Sequence, residues 1–344
     1  MTGSNYACKP KGKVDAIDLK IIRLFSRDCR ASYKDISLTV GITPNAIKER
    51  INTMVCNGII QSFIVNVNPA LFEYEKECLL MLKHFKRTTS TPAKTVNDNI
   101  VKQLNLIGEV RFYAKLLQGS MYVLSLRTGT EDKISILGEL LKEYAYSVEY
   151  TFINYTPISM KVIGSDFKII KCLLSNPRKQ VEDIAKDTSL STKTVTRRLE
   201  KLKENHAIEF GIMRNMSTMQ LIGYIEFGVK VNLEDSSRYQ YVLERIYKEM
   251  EEYLFVIPHA HQLDSIFLVF SCPNIASVDW ILTRMQGYEG VNKLAVFITT
   301  KLVYYQDWVQ REIDRRLRLQ LEKEQNQEAP QQHPHQQQLT KQKR

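Results

Sequence analysis

Apolar residues recur along this chain at two periods, about 3.6 residues in some stretches and 2 in others, which are the signatures of helix and strand. Ile17, Ile21, Leu24 and Phe25 form a helical stripe, and Asp15 or Asp18 stands where an acid caps the free amides of a helix start. A second, short helix is predicted over Tyr33 to Val40, ending at Gly41, which takes the positive φ of a tight turn. A third opens on Thr43-Pro44, a capping hydroxyl followed by an N1 proline, and stops at Asn57-Gly58. Its Ile47, Ile51 and Met54 point inward, leaving Asn45, Lys48, Glu49 and Asn52 outward.

The same plan then returns. Asp18-Leu19-Lys20-Ile21-Ile22 recurs as Asp166-Phe167-Lys168-Ile169-Ile170, an offset of 166 − 18 = 148. Without insertion, that offset carries Arg30 onto Arg178, Asp35-Ile36 onto Asp183-Ile184, Arg50-Ile51 onto Arg198-Leu199 and Met54 onto Leu202. Such a repeat organises the whole chain. In the second copy Ser191 caps the third helix, but Ser189 and His206 stand where the first has glycines, so looser turns are expected there. Each trihelical unit is followed by a strand-helix-strand-strand-helix-strand pattern. In the first copy the strands fall near Cys78 to Phe85, Arg111 to Leu117, Met121 to Arg127 and Ser147 to Tyr155, with helices near Pro92 to Leu104 and Glu131 to Tyr144. In the second they fall near Tyr224 to Val231, Leu254 to Ala260, Ser265 to Phe270 and Val291 to Leu302, with helices near Ser236 to Tyr253 and Ile275 to Gln286. This βαββαβ order is ferredoxin-like, with one sheet face covered by helices and the other left to pair.

Composition narrows the class. The 344 residues are 44% hydrophobic and 25% charged, an ordinary globular balance with room for several domains. Net charge is +10, which favours an anionic partner such as nucleic acid or else a generally basic surface. No segment is apolar enough to span a membrane, and Met1 to Lys13 lacks a secretory apolar core, so a cytoplasmic, nucleoid-associated location is expected. The six cysteines have no C-x-x-C spacing and read as reduced structural thiols. No phosphate-binding, hydrolase or dinucleotide motif is present, so neither a cofactor nor an enzymatic role is expected.

The run Asp15-x-x-Asp18-x-x-Ile21-Ile22, then Arg30, Asp35-Ile36, Gly41-Ile42, Ile47-x-x-Arg50-Ile51, Met54 and Gly58 to Phe63, resembles the Lrp/AsnC, or feast/famine, family of prokaryotic regulators, here in a fused tandem form. The likeness covers nearly everything from Asp15 to about Gln306, and is weaker over Asp166 to Ile212. It implies an α+β fold of two winged helix-turn-helix domains, each followed by a ferredoxin-like sensor domain that dimerises and often binds amino acids. The boundaries expected are 14–65 and 164–213 for the readers, 75–160 and 221–305 for the sensors, 306–324 for a C-terminal helix and 325–344 for a glutamine-rich disordered tail. The helix, with Trp308, Val309, Ile313 and Leu317 on one stripe, is expected to pack on a sensor domain, or to meet DNA or a partner through its arginines.

The resemblance implies double-stranded DNA as partner, with the third helix of each reader in the major groove. Thr43, Asn45, Ala46 and Lys48 in the first copy, and Thr192, Lys193 and Arg197 in the second, then face bases. Arg50, Arg198 and Lys201 are phosphate candidates, with the alternative that Arg50 and Arg198 hold Asp18 and Asp166 within their own domains. Because both sensor partners lie in one chain, an intramolecular pseudo-dimer on an imperfect palindrome is expected, with further self-association open. Family members carry a glycine, an aromatic or apolar residue and an aspartate at a sensor hairpin. Here Gly119 is kept with Tyr122 in the aspartate's place, while the second copy has His261 for the glycine and keeps Leu263-Asp264. A hybrid amino-acid effector pocket from Gly119, Tyr122 and Asp264 is one reading, and a plain turn at Asp264 the other. His259 and His261 with Asp264 have no further local ligand, so no metal is expected. Two rivals remain: a sirohaem-decarboxylase-like enzyme using His84, His259 or His261, and a low-specificity architectural DNA-binding protein.

Overall fold

Helix α1 (Ala16–Arg27) forms because Asp15 and Asp18 close a reciprocal capping box over its first turn, and it buries Ile21, Ile22 and Phe25. It leads to α2 (Tyr33–Val40) and α3 (Pro44–Cys56), whose buried Ile47, Ile51 and Met54 complete a trihelical core. The computed structural model describes residues 14–85, 93–256 and 265–328. A single strand, β1 (Ile60–Val67), follows, and a 3-10 turn at Pro69–Phe72 then carries the chain into the first sensor. That sensor comprises β2 (Lys76–Phe85), α4 (Ala93–Leu104), β3 (Glu109–Leu116), β4 (Gly119–Leu126), α5 (Glu131–Leu141) and β5 (Ala145–Asn154). The second copy runs α6 (Gly164–Ser175), α7 (Val181–Thr188), α8 (Thr192–Glu204), β6 (Ile208–Arg214) and a short α9 (Met216–Leu221). Its sensor is β7 (Ile225–Leu233), α10 (Tyr239–Met250), β8 (Leu254–Val256), β9 (Ser265–Cys272), α11 (Ile275–Gln286) and β10 (Val291–Tyr304), and α12 (Asp307–Glu328) ends the described chain.

The architecture is α+β. Each sensor has the strand order fourth-first-third-second: β5-β2-β4-β3 in one half and β10-β7-β9-β8 in the other. The halves join edge to edge through antiparallel β3 and β10, giving one eight-stranded sheet. Helices cover one face of each half, over cores built on Leu80, Tyr122 and Leu124 in the first and Phe227, Leu268 and Phe270 in the second. The opposite faces meet each other, so that Leu79, Met81, Met121 and Val123 of the first half share apolar clusters with Phe267 and Phe297 of the second.

The expected wings take another form. Neither reader doubles back into a hairpin of its own: β1 and β6 pair antiparallel with each other, from Ile60 opposite Arg214 to Val67 opposite Ile208. Asn68 caps the Pro69–Phe72 turn, which directs the chain away before a second local strand can form, and the edge of β1 is satisfied by the other copy. One apolar core therefore runs through both readers, from Phe25 and Ile51 to Ile170, Leu199 and Phe210.

Three further departures concern the C-terminal helix, the turns of the second reader and one cysteine. The C-terminal helix packs on the second reader's α6 and on the linker of the first copy rather than on a sensor core, because its Trp308 ring sits edge-on, 5.8 Å from both Phe72 and Tyr74. Its buried Glu312 accepts from the Tyr74 hydroxyl (3.2 Å) and from Arg127 (2.7 Å). The second reader's turns are as tight as the first's. Ser189 (φ +58°) and His206 (φ +52°) adopt the left-handed conformation that Gly41 (φ +81°) and Gly58 (φ +67°) take in the first copy. Among the cysteines, Cys29, Cys78, Cys172 and Cys272 are free thiols, whereas Cys56 is disulfide-bonded, contrary to the expectation of reduced thiols throughout.

Candidate nucleic-acid interface

The candidate reading helices are α3 and α8, and each starts on a side-chain cap. The Thr43 hydroxyl accepts from the Ala46 amide (3.2 Å) and the Ser191 hydroxyl from that of Thr194 (3.1 Å). These caps leave the remaining first-turn amides pointing out of the helix end, where a phosphate is favoured. The apolar stripe of each helix is inward, so the rest of the surface is presented to solvent. On α3, Thr43, Asn45 and Lys48 are exposed and Ala46 is half-buried; on α8, Thr192, Lys193, Arg197 and Lys201 are all exposed. Among the described residues, Lys48, Lys193, Arg197 and Lys201 enter no ion pair.

Arg50 and Arg198 are placed differently from those four. Arg50 donates to Asp15 (2.7 Å) and Asp18 (2.8 Å), the two acids of the α1 capping box. Arg198 lies on the inner side of α8, buried, with Nε and Nη2 on the two carboxylate oxygens of Asp166. Both arginines thus tie the reading helix to the first helix of their own unit, the domestic alternative for these residues. At Asp15, desolvation raises the carboxyl pKa, but the Asp18 amide and the Arg50 guanidinium outweigh it and hold the group below its ordinary value.

A further pair of arginines fixes the two readers to each other. Arg30 Nη1 donates across the repeat to the carbonyls of Pro177 (2.7 Å) and Lys179 (2.8 Å), with its guanidinium 5.3 Å from the Phe210 ring. Its repeat mate Arg178 reaches the opposite way, 5.2 Å from Phe25, 5.0 Å from Tyr33 and 5.0 Å from Phe63. Lys203 adds an ion pair to Asp28 at 2.7 Å. These braces were missed in the sequence, although the repeat itself kept an arginine at both positions. The signal was there, but the partners lie about 150 residues away, as with Arg30 and Lys179 (|i−j| = 149).

Of the predicted effector residues, Gly119 and Tyr122 are described, and they serve the fold of the first sensor. Tyr122 is buried in the helix-covered core of the first sensor, its hydroxyl donating to Asn97 at 2.9 Å. Gly119 starts β4 hard against β2, where a Cβ would meet the Leu82 carbonyl oxygen at 2.2 Å, so its smallness serves strand pairing. Asp264 lies outside the described residues, as do His259, His261, the side chain of His84 and the tail from residue 329. No cluster of metal-ligating side chains occurs among the described residues, and none of the described helices is long and apolar enough to cross a membrane.

These observations define a tandem helix-turn-helix protein whose two readers are braced on a shared ferredoxin-like platform. Residues 14–55 match the AsnC-type helix-turn-helix domain and residues 164–209 the winged helix-turn-helix DNA-binding domain. The chain is 31% identical over 100 residues to an HTH-type transcriptional regulator of Pyrococcus horikoshii, covering 29% of this chain and 58% of that one. It is 24% identical over 130 residues to the regulatory protein AsnC of Haemophilus influenzae, covering 37% of this chain and 85% of that one. It spans under two thirds of the length of several such relatives, 58% for the Pyrococcus abyssi regulator among them. Among solved structures it is similar to the siroheme decarboxylase NirDL (14% identity, 89% of this chain and 99% of that chain, TM-score 0.49) and to Escherichia coli AsnC (20%, 41% and 94%, TM-score 0.32). Both helix-turn-helix units thus lie in one polypeptide, and over them the chain is similar to AsnC-type regulators.

Proposed function

We propose that this protein is a sequence-specific, DNA-binding transcriptional regulator acting inside the cell, and not an enzyme. The observation that carries the reading is the division of labour on α8: Arg198 is turned inward onto Asp166, while Lys193, Arg197 and Lys201 stand exposed without an acidic partner. Unpaired cations beside a capped helix start are what phosphate contact and base reading require. Lys193, Arg197 and Thr192 face base edges in the second reader, and Thr43, Asn45, Ala46 and Lys48 do so in the first. Lys201 takes a phosphate. Arg50 and Arg198 position the helices.

The two readers differ. On α8, Lys193, Arg197 and Lys201 stand outside any ion pair, with Lys203 on Asp28, whereas α3 offers Lys48 alone, with Arg50 held by Asp15 and Asp18. The second reader therefore supplies more of the salt-sensitive affinity. The operator is an imperfect palindrome with half-sites about one helical turn (~34 Å) or a multiple apart. A small-molecule effector, amino acid or other, modulates the binding, and further self-association extends the contact along DNA.

The test is fluorescence anisotropy on duplexes selected from genomic DNA, over a salt series. Replacing Lys193 and Arg197 together by alanine is expected to weaken binding at least tenfold, and each lost phosphate contact lowers the log–log salt slope by about 1. Unchanged affinity and slope in the folded double variant would overturn the assignment.

A further inference from the structure

Beneath the β1–β6 ribbon the two sensor halves part and enclose a cavity of about 370 Å³. That lies within the ~300–1,000 Å³ of small-molecule sites. Its walls are Phe112 and Met121 from the first half and Phe267, Phe297 and Leu302 from the second. Its roof comes from the ribbon and its ends, including Asn66, Asn68, His206 and Glu209. A simple packing defect between two sheets would be lined by apolar groups throughout. This one is not. Glu77, Arg111 and Tyr155 line it from the first half, Glu226 and Tyr304 from the second, and Arg214 from the end of the ribbon strand β6.

The glutamates and tyrosines follow the internal symmetry, whereas the arginines come from non-equivalent strands, Arg111 from β3 and Arg214 from β6. Glu226 is the mate of Glu77 and Tyr304 that of Tyr155, at offsets of 226 − 77 = 149 and 304 − 155 = 149. In the first half Arg111 Nη1 donates to Glu77 Oε2 (2.6 Å) and to the Tyr155 hydroxyl (3.3 Å), and Nη2 reaches Asn66 Oδ1 (3.5 Å). Facing the second half, Arg214 of β6 donates to Glu226, their side chains 8% and 4% exposed. Four ionised groups have been taken out of water to edge a void, a cost that packing does not explain.

The lining also specifies what fits. Each arginine is matched by a glutamate, so neither pair offers a net charge to an anion or a cation. What an Arg–Glu pair does offer is an N–H donor beside a carboxylate acceptor. The complement is an edge with a carbonyl beside an N–H, the lactam edge of an oxo-heterocycle, and the aromatic walls favour a flat ring. We propose that the inter-sheet cavity binds a neutral planar heterocycle carrying a lactam edge, of the purine or pteridine class, held by the Arg111–Glu77 or Arg214–Glu226 pair. Because the ligand touches the ribbon that joins the readers, its occupancy shifts DNA affinity. That second consequence rests on the regulator reading, whereas the binding itself does not.

The experiment is isothermal titration of the full chain, without DNA, with hypoxanthine, 1-methylhypoxanthine, unsubstituted purine, phenylalanine and benzoate. Hypoxanthine is expected to bind at least tenfold more tightly than the other four. The double variant Arg214→Met with Glu226→Met removes one polar edge while keeping charge balance, and Leu302→Trp fills the cavity; with circular dichroism matching the parent, at least one is expected to weaken hypoxanthine tenfold or more. No heat with hypoxanthine, equal binding of unsubstituted purine, preference for phenylalanine or benzoate, or undiminished binding in both folded variants overturns the site. Anisotropy with DNA is then read separately. Hypoxanthine binding by a chain that ignores every duplex sinks the regulatory reading and leaves the ligand site standing.

Discussion

The two copies carry the same ion pair at two depths, and removing the arginine from each gives unequal costs. In the second reader the Asp166 side chain is wholly buried and that of Arg198 only 10% exposed. Arg198→Ala strands a carboxylate whose remaining contact is the Ile163 amide at 2.8 Å. Breaking a buried pair from one side costs about 3–5 kcal/mol, and that surviving amide places the expected cost at the lower end, about 3 kcal/mol. In the first reader the matching acid, Asp18, is 13% exposed, but Arg50 is 32% exposed and shares its charge with Asp15 at 49%, and Asp18 keeps the Asp15 amide, so water reaches the arginine's site and replaces much of what is lost. Arg50→Ala is expected to cost about 1 kcal/mol or less. Urea unfolding followed by far-ultraviolet circular dichroism, with hydrogen exchange resolving the protection of α6 and α8 from that of α1 and α3, measures both. The double variant Arg198→Met with Asp166→Leu should recover most of the loss, because it removes the stranded charge. Equal costs for Arg50→Ala and Arg198→Ala, or no recovery in the double variant, would refute the burial argument.

Other expected outcomes follow from single features. Ser189→Gly and His206→Gly should each stabilise the second reader by about 1 kcal/mol, since each relieves a left-handed backbone that a side chain resists; thermal melts of the single variants check this. Arg178→Ala removes the cation seated among Phe25, Tyr33 and Phe63, and should broaden the range of half-site spacings bound, read by anisotropy on duplexes of varied spacer length; an unaltered spacing profile would show that the brace does not set the register. Glu249 accepts from Arg284 and Arg245, which hold its carboxyl at about 2, below the ordinary 4.5. A depressed carboxylate contributes stability above its unfolded value and loses it as pH falls toward its folded one, so the second sensor should weaken between about 4.5 and 2. In an acid titration, Arg284→Gln with Arg245→Gln should flatten that interval.

The helix starts were legible because a cap is local. Thr43-Pro44 and Ser191 specify their helix ends by hydrogen bonds spanning three residues, and they form as read. The inward stripes Ile47-Ile51-Met54 and Val195-Leu199-Leu202 were legible for the same reason, since helical period alone fixes a common face. The effector residues were harder. Tyr122 was read as replacing a hairpin acid, yet β4 alternates its side chains, and the residue falls on the face that α4 and α5 cover. Glycine absence was a weak guide to turn shape: Ser189, between α7 and α8, and His206, between α8 and β6, accept strain because the elements they join are already fixed by their buried residues.

What the amino-acid order determined alone was every feature carried by neighbours within a turn or a strand: the repeat of 148 residues, the trihelical units, the βαββαβ succession and the cationic outer face of α8. Only the tertiary structure decided which copy each edge and charge would meet. An unpaired strand edge requires hydrogen bonds without naming the donor, and β1 found β6 while β3 found β10. An arginine likewise carries no address. Arg198 settled on its own domain's aspartate, Arg30 on the other reader's carbonyls, and Arg111 and Arg214 on glutamates around a shared cavity, because burial made each nearby partner obligatory.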